Sequence, residues 1–246
     1  MPIVETDIDF YQSDSTSAID NEGPEFNGLG GFKSTTEIVD NTVANLFDNI
    51  DAAESESGDK EYRAFFVINS HATLTLEAAR AYIDTNSPMT ALTEGLLIGG
   101  GETVVKVVDN SAFPTKGTFF IANEEINYTA KSVGNNQFTG CTRAYNGTSL
   151  AVHSIADKCE HNKITIAIEE PAGGVHTAAI QTIGGEGTDP ATIVFSAPRT
   201  FATGLVIGDL APREKYGIWV CRKTGKDSQA LNAIYHHIRV QGSTGA

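Results

Sequence analysis

The chain reads as an all-β protein: a discontinuous β-sandwich interrupted by a small inserted β domain and preceded by an extended N-terminal arm. Three observations point there. Short runs of alternating apolar and polar residues recur about every ten residues, with turn residues between them. Glycine is frequent, at 24 of 246 residues, with 8 prolines, and no long helical apolar pattern interrupts the series. The stretch from Phe113 to His153 has its own dense, turn-punctuated pattern, distinct from its flanks.

Residues 1–35 are polar, acidic and glycine-rich, notably Asn21 to Gly31, and predict an extended arm that orders against a partner. Val39, Val43, Leu46, Phe47 and Ile50 approach helical spacing and predict a short helix or turn, followed by an acidic loop over 52–60. Tyr62 to Asn69 is a nearly continuous apolar run, as in a central strand, with Leu74 to Asp84 as its partner. Leu96 to Ile98 predicts a short strand before Gly99 to Gly101, and Thr103 to Val108 another. Ile164, Ile166 and Ile168 alternate on one face. A glycine-rich loop over 171–187 precedes strands at 191–195, 204–207, 215–222 and 234–240. In the third of these, Tyr216, Ile218 and Val220 share one face, and Trp219 and Cys221 the other. The domain plan is therefore an arm over 1–35, a sandwich from 36–101 plus 159–246, and an insertion over 102–158. The chain would cross between them near 99–101 and 160–162.

The net charge of −14 argues against nucleic acid and anionic membrane surfaces as partners. The acidic side chains crowd the first 61 residues, where only Lys33 and Lys60 oppose them. No run of about 18 apolar residues is present to span a bilayer. Residues 1–10 lack the basic start and apolar centre of a secretory signal, so synthesis in a reducing cytosol is expected.

Catalytic and metal constellations are weak. Cys141, His153, Cys159 and His161 carry zinc-type atoms without a Cys-x-x-Cys pair, and a Cys141–Cys159 disulfide is an open alternative to buried thiols. The third cysteine is Cys221. His236 and His237 are adjacent in a strand and point to opposite faces, as do Glu124 and Glu125, so neither pair converges on one site. Glu169 and Glu170 close a strand before Pro171. Gly-x-Ser-x-Gly is absent, and neither Gly99-Gly-Gly-Glu102 nor Gly184-Gly-Glu-Gly187 continues into a phosphate loop. Asn127 and Asn146 head glycosylation-type triplets that mean little without secretion. A non-enzyme with no cofactor and no metal is expected.

The segment Phe113-Pro-Thr, Gly117-Thr-Phe-Phe-Ile-Ala-Asn-Glu-Glu-Ile-Asn-Tyr-Thr129, Phe138-Thr-Gly-Cys-Thr-Arg143, Asn146-Gly-Thr148 and His153 resembles a module in virion proteins of tailed bacteriophages. Ala144-Tyr145 stands where that pattern usually has glycine after the arginine. Two flanking blocks, 44–69 and 207–222, also resemble phage structural proteins, with Lys223 where a second arginine is usual. The resemblance covers most of residues 40–240. It implies a virion protein made in the host cytoplasm. The foremost reading is a capsid decoration (cement) protein bound to the major capsid protein, assembled as a homo-oligomer, with a trimer favoured. A tail or baseplate component is the alternative. A carbohydrate-binding host-adhesion module, with Tyr128 and Tyr145 as its aromatic platforms, is a third reading. The expected contact residues are Phe26, Leu29 and Phe32 on the arm, and Arg143, Tyr145 and Asn146 at an exposed tip.

Overall fold

The computed structural model describes residues 2–15, 28–39, 46–48, 50–99, 101–171, 179–229 and 235–244. The fold is all-β and antiparallel throughout. The strands of the N-terminal half are β1 (Ile8–Asp14), β2 (Gly30–Glu37), β3 (Asp59–Asn69), β4 (Leu76–Ser87), β5 (Met89–Ala91), β6 (Val104–Lys106), β7 (Gly117–Ile121) and β8 (Glu124–Tyr128). The rest are β9 (Ala130–Ser132), β10 (Gln137–Thr139), β11 (Lys158–Glu160), β12 (Asn162–Glu169), β13 (Ile180–Thr182), β14 (Leu205–Leu210), β15 (Lys215–Thr224) and β16 (Tyr235–Thr244). One short helix, α1 (Ala52–Ser57), precedes β3.

The largest sheet has the order β12-β15-β3-β1-β2-β13, and a second sheet has the order β14-β4-β16. Alternation along each strand decides what lies between them. Phe65 and Val67 of β3, Ile164 and Ile166 of β12, and Ile218 and Val220 of β15 meet Ala79, Ala81 and Ile83 of β4 and Ile207 of β14 in one buried cluster. Each such side chain contributes about 1.5–3 kcal/mol when fully buried. The opposite face of the large sheet carries Tyr62, Ala64, Phe66, Ala167, Trp219 and Cys221, covered by Ile183, Ile193 and Phe195 from the 183–195 loop. The alternation expected for 216–222 is thus observed. Trp219 is fully buried and donates its indole N–H to Glu169 Oε2 at 2.7 Å.

The N-terminal segment is not a free arm. Strand β1 lies inside the large sheet, pairing with β3 from Ile8↔Asn69 to Gln12↔Phe65 and with β2 on its other side. Ile8 and Phe10 alternate inward onto the core, and Phe10 meets Phe65 edge-on at 5.8 Å. A low apolar content masked that two-residue period. The remaining differences are local. The helix expected over 39–50 falls partly on 40–45 and 49, outside the described residues, and Leu46 and Phe47 form a bend. The helix sits instead at 52–57, where a loop was expected. Asp51 caps it by accepting from Glu54 N, while Glu54 accepts from Asp51 N, a reciprocal capping box. Strand β4 pairs with β14 and β16 in the opposite layer rather than with β3. Residues 191–195 form no strand, and the adjoining Ser196 meets β12 through a single bridge to Ile166.

The inserted unit begins earlier and ends later than 102–158. Its core joins Leu92, Leu96, Val105, Val107, Phe113, Phe119, Ile121, Ile126, Tyr128, Phe138, Cys141 and Cys159. Strand β11 pairs with β5 and β7, so residues 89–91 and 158–160 belong to it. The crossing points are Pro88 and His161, joined by a hydrogen bond from His161 N to Pro88 O of 3.1 Å. Leu96 forms a single bridge to His153, not a strand.

Candidate functional site: a buried ion hub beneath an apolar crown

Glu124 opens β8 and Arg143 follows β10, and both side chains are wholly buried in the inserted unit. Burial alone would drive each to its neutral form or out to water. Here they satisfy one another. Arg143 Nε donates to Glu124 Oε1 and Nη2 to Oε2, both at 2.8 Å, a bidentate pair. Ala144 N and Ala151 N each donate to Glu124 at 3.0 Å, and His153 Nε2 lies 2.8 Å from Oε2. Burial pushes the Glu124 carboxyl up, but these bonds from Arg143, the two backbone N–H groups and His153 outweigh it and hold it at about 2.

Arg143 also reaches outward. Its Nη1 donates to Leu97 O at 2.7 Å and to Glu102 Oε2 at 3.1 Å, and Nη2 donates to Ala151 O. The hub therefore grips the backbone of two loops, 96–98 and 150–155. The loops are zipped once, by reciprocal bonds between Leu96 and His153 of 2.9 and 3.0 Å. In that antiparallel register Leu97 falls opposite Val152. Leu96 and His153 point in, each 3% exposed, while Leu97 and Val152 point out, 70% and 61% exposed. Ile98 (67%), Ile155 (68%) and Leu150 (39%) are also exposed on these loops. Residues 95–101 and 144–156 contain no Asp, Glu, Lys or Arg. An apolar crown, bordered by the Glu102 carboxylate that accepts from Leu97 N, stands out on a strongly acidic chain as a surface suited to contact.

The residues expected to make contacts are placed differently. Arg143 is not at a tip; it is the centre of the hub, because its guanidinium has a buried carboxylate 19 residues earlier to pair with. Tyr145 turns back and bonds through its hydroxyl to Asp227. Asn146, exposed, lines a groove with Gly58, Lys60, Lys223 and Thr224. The 145–147 turn is thus a seam with the large sheet. Leu29 packs half-buried against the Trp219 face, and Phe32 is a half-buried residue of β2. Phe26 lies outside the described residues. Tyr128 is buried, with its hydroxyl on Pro114 O at 3.0 Å, and offers no sugar platform.

The three cysteines are free and buried, which leaves the Cys141–Cys159 disulfide unformed. Burial pushes the Cys141 thiol up to about 12 and Cys159 further in the same direction. His153 is engaged by Glu124, and His161 Nε2 lies 3.3 Å from Ser228 Oγ. His236 has both ring nitrogens sealed from solvent without a partner, while His237 is exposed.

The crown escaped a sequence reading that sought polar chemistry. Its signal was Leu96-Leu97-Ile98 set directly before a glycine run. Comparison with protein-family models, curated proteins and solved structures finds no match to this chain.

Proposed function

We propose that this chain is a structural protein of a tailed-phage virion, foremost a capsid decoration protein, that works by contact and transforms no substrate. The phage assignment comes from the sequence resemblance. The observation that carries the contact reading is the crown: apolar side chains exposed on loops that a buried ion hub holds rigid. Ordering cost is then already met before docking. Copies of a chain with charge −14 repel one another. They can meet at the crown, whose exposed side chains are mostly apolar, and we take its occupant to be a second copy of this chain. Clustered copies would then bind the shell with gained avidity.

Two measurements test this. Sedimentation velocity should find oligomers of the wild-type chain and monomers of a Leu97→Asp, Val152→Asp variant with an unchanged circular dichroism spectrum; a monomeric wild type, or a variant that still assembles, rejects the crown contact. A low-resolution map of intact particles carrying the gold-tagged chain should place label over the shell in icosahedral copy number. Label on the tail replaces the decoration reading by the tail one, and particles without label reject a virion role.

A further inference from the structure

Helix α1 and the start of β3 bring three carboxylates together. Glu54 is the third residue of α1, Gly58 turns the chain with φ +76°, and Asp59 and Glu61 share one face of β3 by their two-residue spacing. One carboxylate oxygen from each of Glu54, Asp59 and Glu61 falls within 4.8 Å of the others. Proximity of acids at a surface is common and by itself says little. The buried member says more.

Glu61 is 2% exposed. Its Oε2 accepts from Arg222 Nε, and Arg222 Nη2 lies beside it as an ion pair without a hydrogen bond of its own. Its Oε1 is sealed from solvent and has no hydrogen-bond partner. A buried carboxylate oxygen left unsatisfied is destabilising unless something coordinates it. The guanidinium in contact with Glu61 is shared. Arg222 also serves Asp48, at 3.5 Å and through the Asp48 carbonyl. Arg63, the next guanidinium, is paired with Glu186, and Lys60 with Asp189. Glu54 and Asp59 have no ion-pair partner among the described residues. Glu61 and Asp48 therefore share one guanidinium, and Glu54 and Asp59 add two further carboxylates beside Glu61.

We propose that Glu54, Asp59 and Glu61 bind a calcium ion, with Glu61 Oε1 as the buried ligand and Glu54 and Asp59 as half-buried ones. The donors are all oxygen, which selects a hard cation and excludes the softer zinc and copper. Calcium takes six to eight oxygens in adaptable geometry, completed here by water, whereas magnesium demands a near-regular octahedron. The ion would tie α1 to β3. Helix α1 in turn holds the 225–228 loop, through Ser55 Oγ on Ser228 O and Asp227 N on Glu56 O at 3.4 Å. That loop carries Asp227, the partner of Tyr145 in the inserted unit. Calcium would thus stiffen the seam between the two cores. This inference stands apart from the virion reading.

The test is calorimetric titration of CaCl2 into the full chain after chelator treatment, with thermal melts in parallel. The expected result is one site per chain, with a melting temperature raised by about 2 °C or more at about 10 mM CaCl2 and a smaller rise with MgCl2. Asp59→Asn, a half-buried change that leaves the Glu61–Arg222 pair intact, should fold with its calcium response reduced at least about tenfold in affinity. No heat and no shift for the wild type overturn the proposal. So does a calcium response unaltered in Asp59→Asn, or one matched by magnesium.

Discussion

Replacing Arg143 by alanine should unfold the inserted unit before the rest of the molecule. The substitution removes both bidentate bonds to Glu124 and leaves that carboxylate, with no exposed surface, held only by Ala144 N, Ala151 N and His153. Breaking a buried pair from one side costs about 3–5 kcal/mol, because the remaining charge is left uncompensated. The lost grip on Leu97 O and Ala151 O adds two backbone acceptors without that donor. The comparison is Lys106→Ala. Lys106 and Glu94 lie 2.8 Å apart, but their side chains are 48% and 60% exposed, so that loss should stay below about 0.5 kcal/mol. Urea unfolding reads the difference. Trp219 fluorescence reports the large sheet, and the part of the near-ultraviolet dichroism that is lost on Tyr128→Phe reports the inserted core. In Arg143→Ala the tyrosine transition should move to lower urea ahead of the tryptophan transition. Glu124→Gln in the same chain should recover part of the loss, since the orphaned charge is gone. A loss below about 1 kcal/mol in Arg143→Ala, or coincident transitions, would refute the claim that this pair holds the crown.

Two further outcomes are expected. Deleting residues 1–15 removes β1 from between β3 and β2, so the product should be insoluble or lack native Trp219 emission; a soluble truncation with native emission would show β1 to be dispensable. Acid should act on the seam histidines. Burial lowers His161 to about 4, and burial followed by Arg222, Arg199, His237 and His161 lowers His236 to about 3. Their unfolded value is about 6.5. Above that pH both are neutral in either state and their contribution is complete. Below it the unfolded chain takes up protons that the folded chain refuses, and stability falls by about 1.4 kcal/mol per pH unit for each. Glu61 works oppositely, since burial outweighs Arg222 and raises it to about 7. The histidine share is therefore read as the difference between wild type and a His161→Gln, His236→Gln variant across pH 6.5 to 4.5. Parallel stability profiles would sink this assignment.

What could be read from the residues alone depended on how strongly apolar side chains marked one face. Ile164, Ile166 and Ile168, and Ile218 and Val220 against Trp219 and Cys221, alternate with bulky groups, and their faces are as expected. Strand β1 offers only Ile8 and Phe10 before Gln12 and Asp14, which are buried polar residues, so its period was hidden beneath its charge. Helix α1 has no buried residue at all, and only the Asp51–Glu54 capping box marked it. Layer assignment was not legible, because whether β4 pairs with β3 or faces it depends on contacts made far along the chain. The hub was half legible. Glu124, Arg143 and His153 all fell within the singled-out segment, but reading 143–146 as an exposed turn sent Arg143 outward, and only the fold brings Glu124 to it.

The seam between the two cores has a different character from either core. It is built from polar contacts: Lys226 N on Glu125 Oε1 at 2.7 Å, Thr115 on Gln229 at 3.2 Å, Tyr145 on Asp227, and Asn86 Nδ2 on Glu160 at 2.7 Å, with Arg199 on the same carboxylate. Several buried atoms beside it have no protein partner, among them Asn86 Oδ1 and both amide atoms of Asn162. Such atoms call for ordered water, which supplies hydrogen bonds but little cohesion. Two apolar cores joined by a polar seam behave as separate cooperative units. Since the chain enters and leaves the inserted unit at Pro88 and His161, which touch through their backbones, that unit can loosen without pulling the sheets apart. The crown's rigidity therefore has to come from inside its own unit, and the Glu124–Arg143–His153 hub is where that unit supplies it.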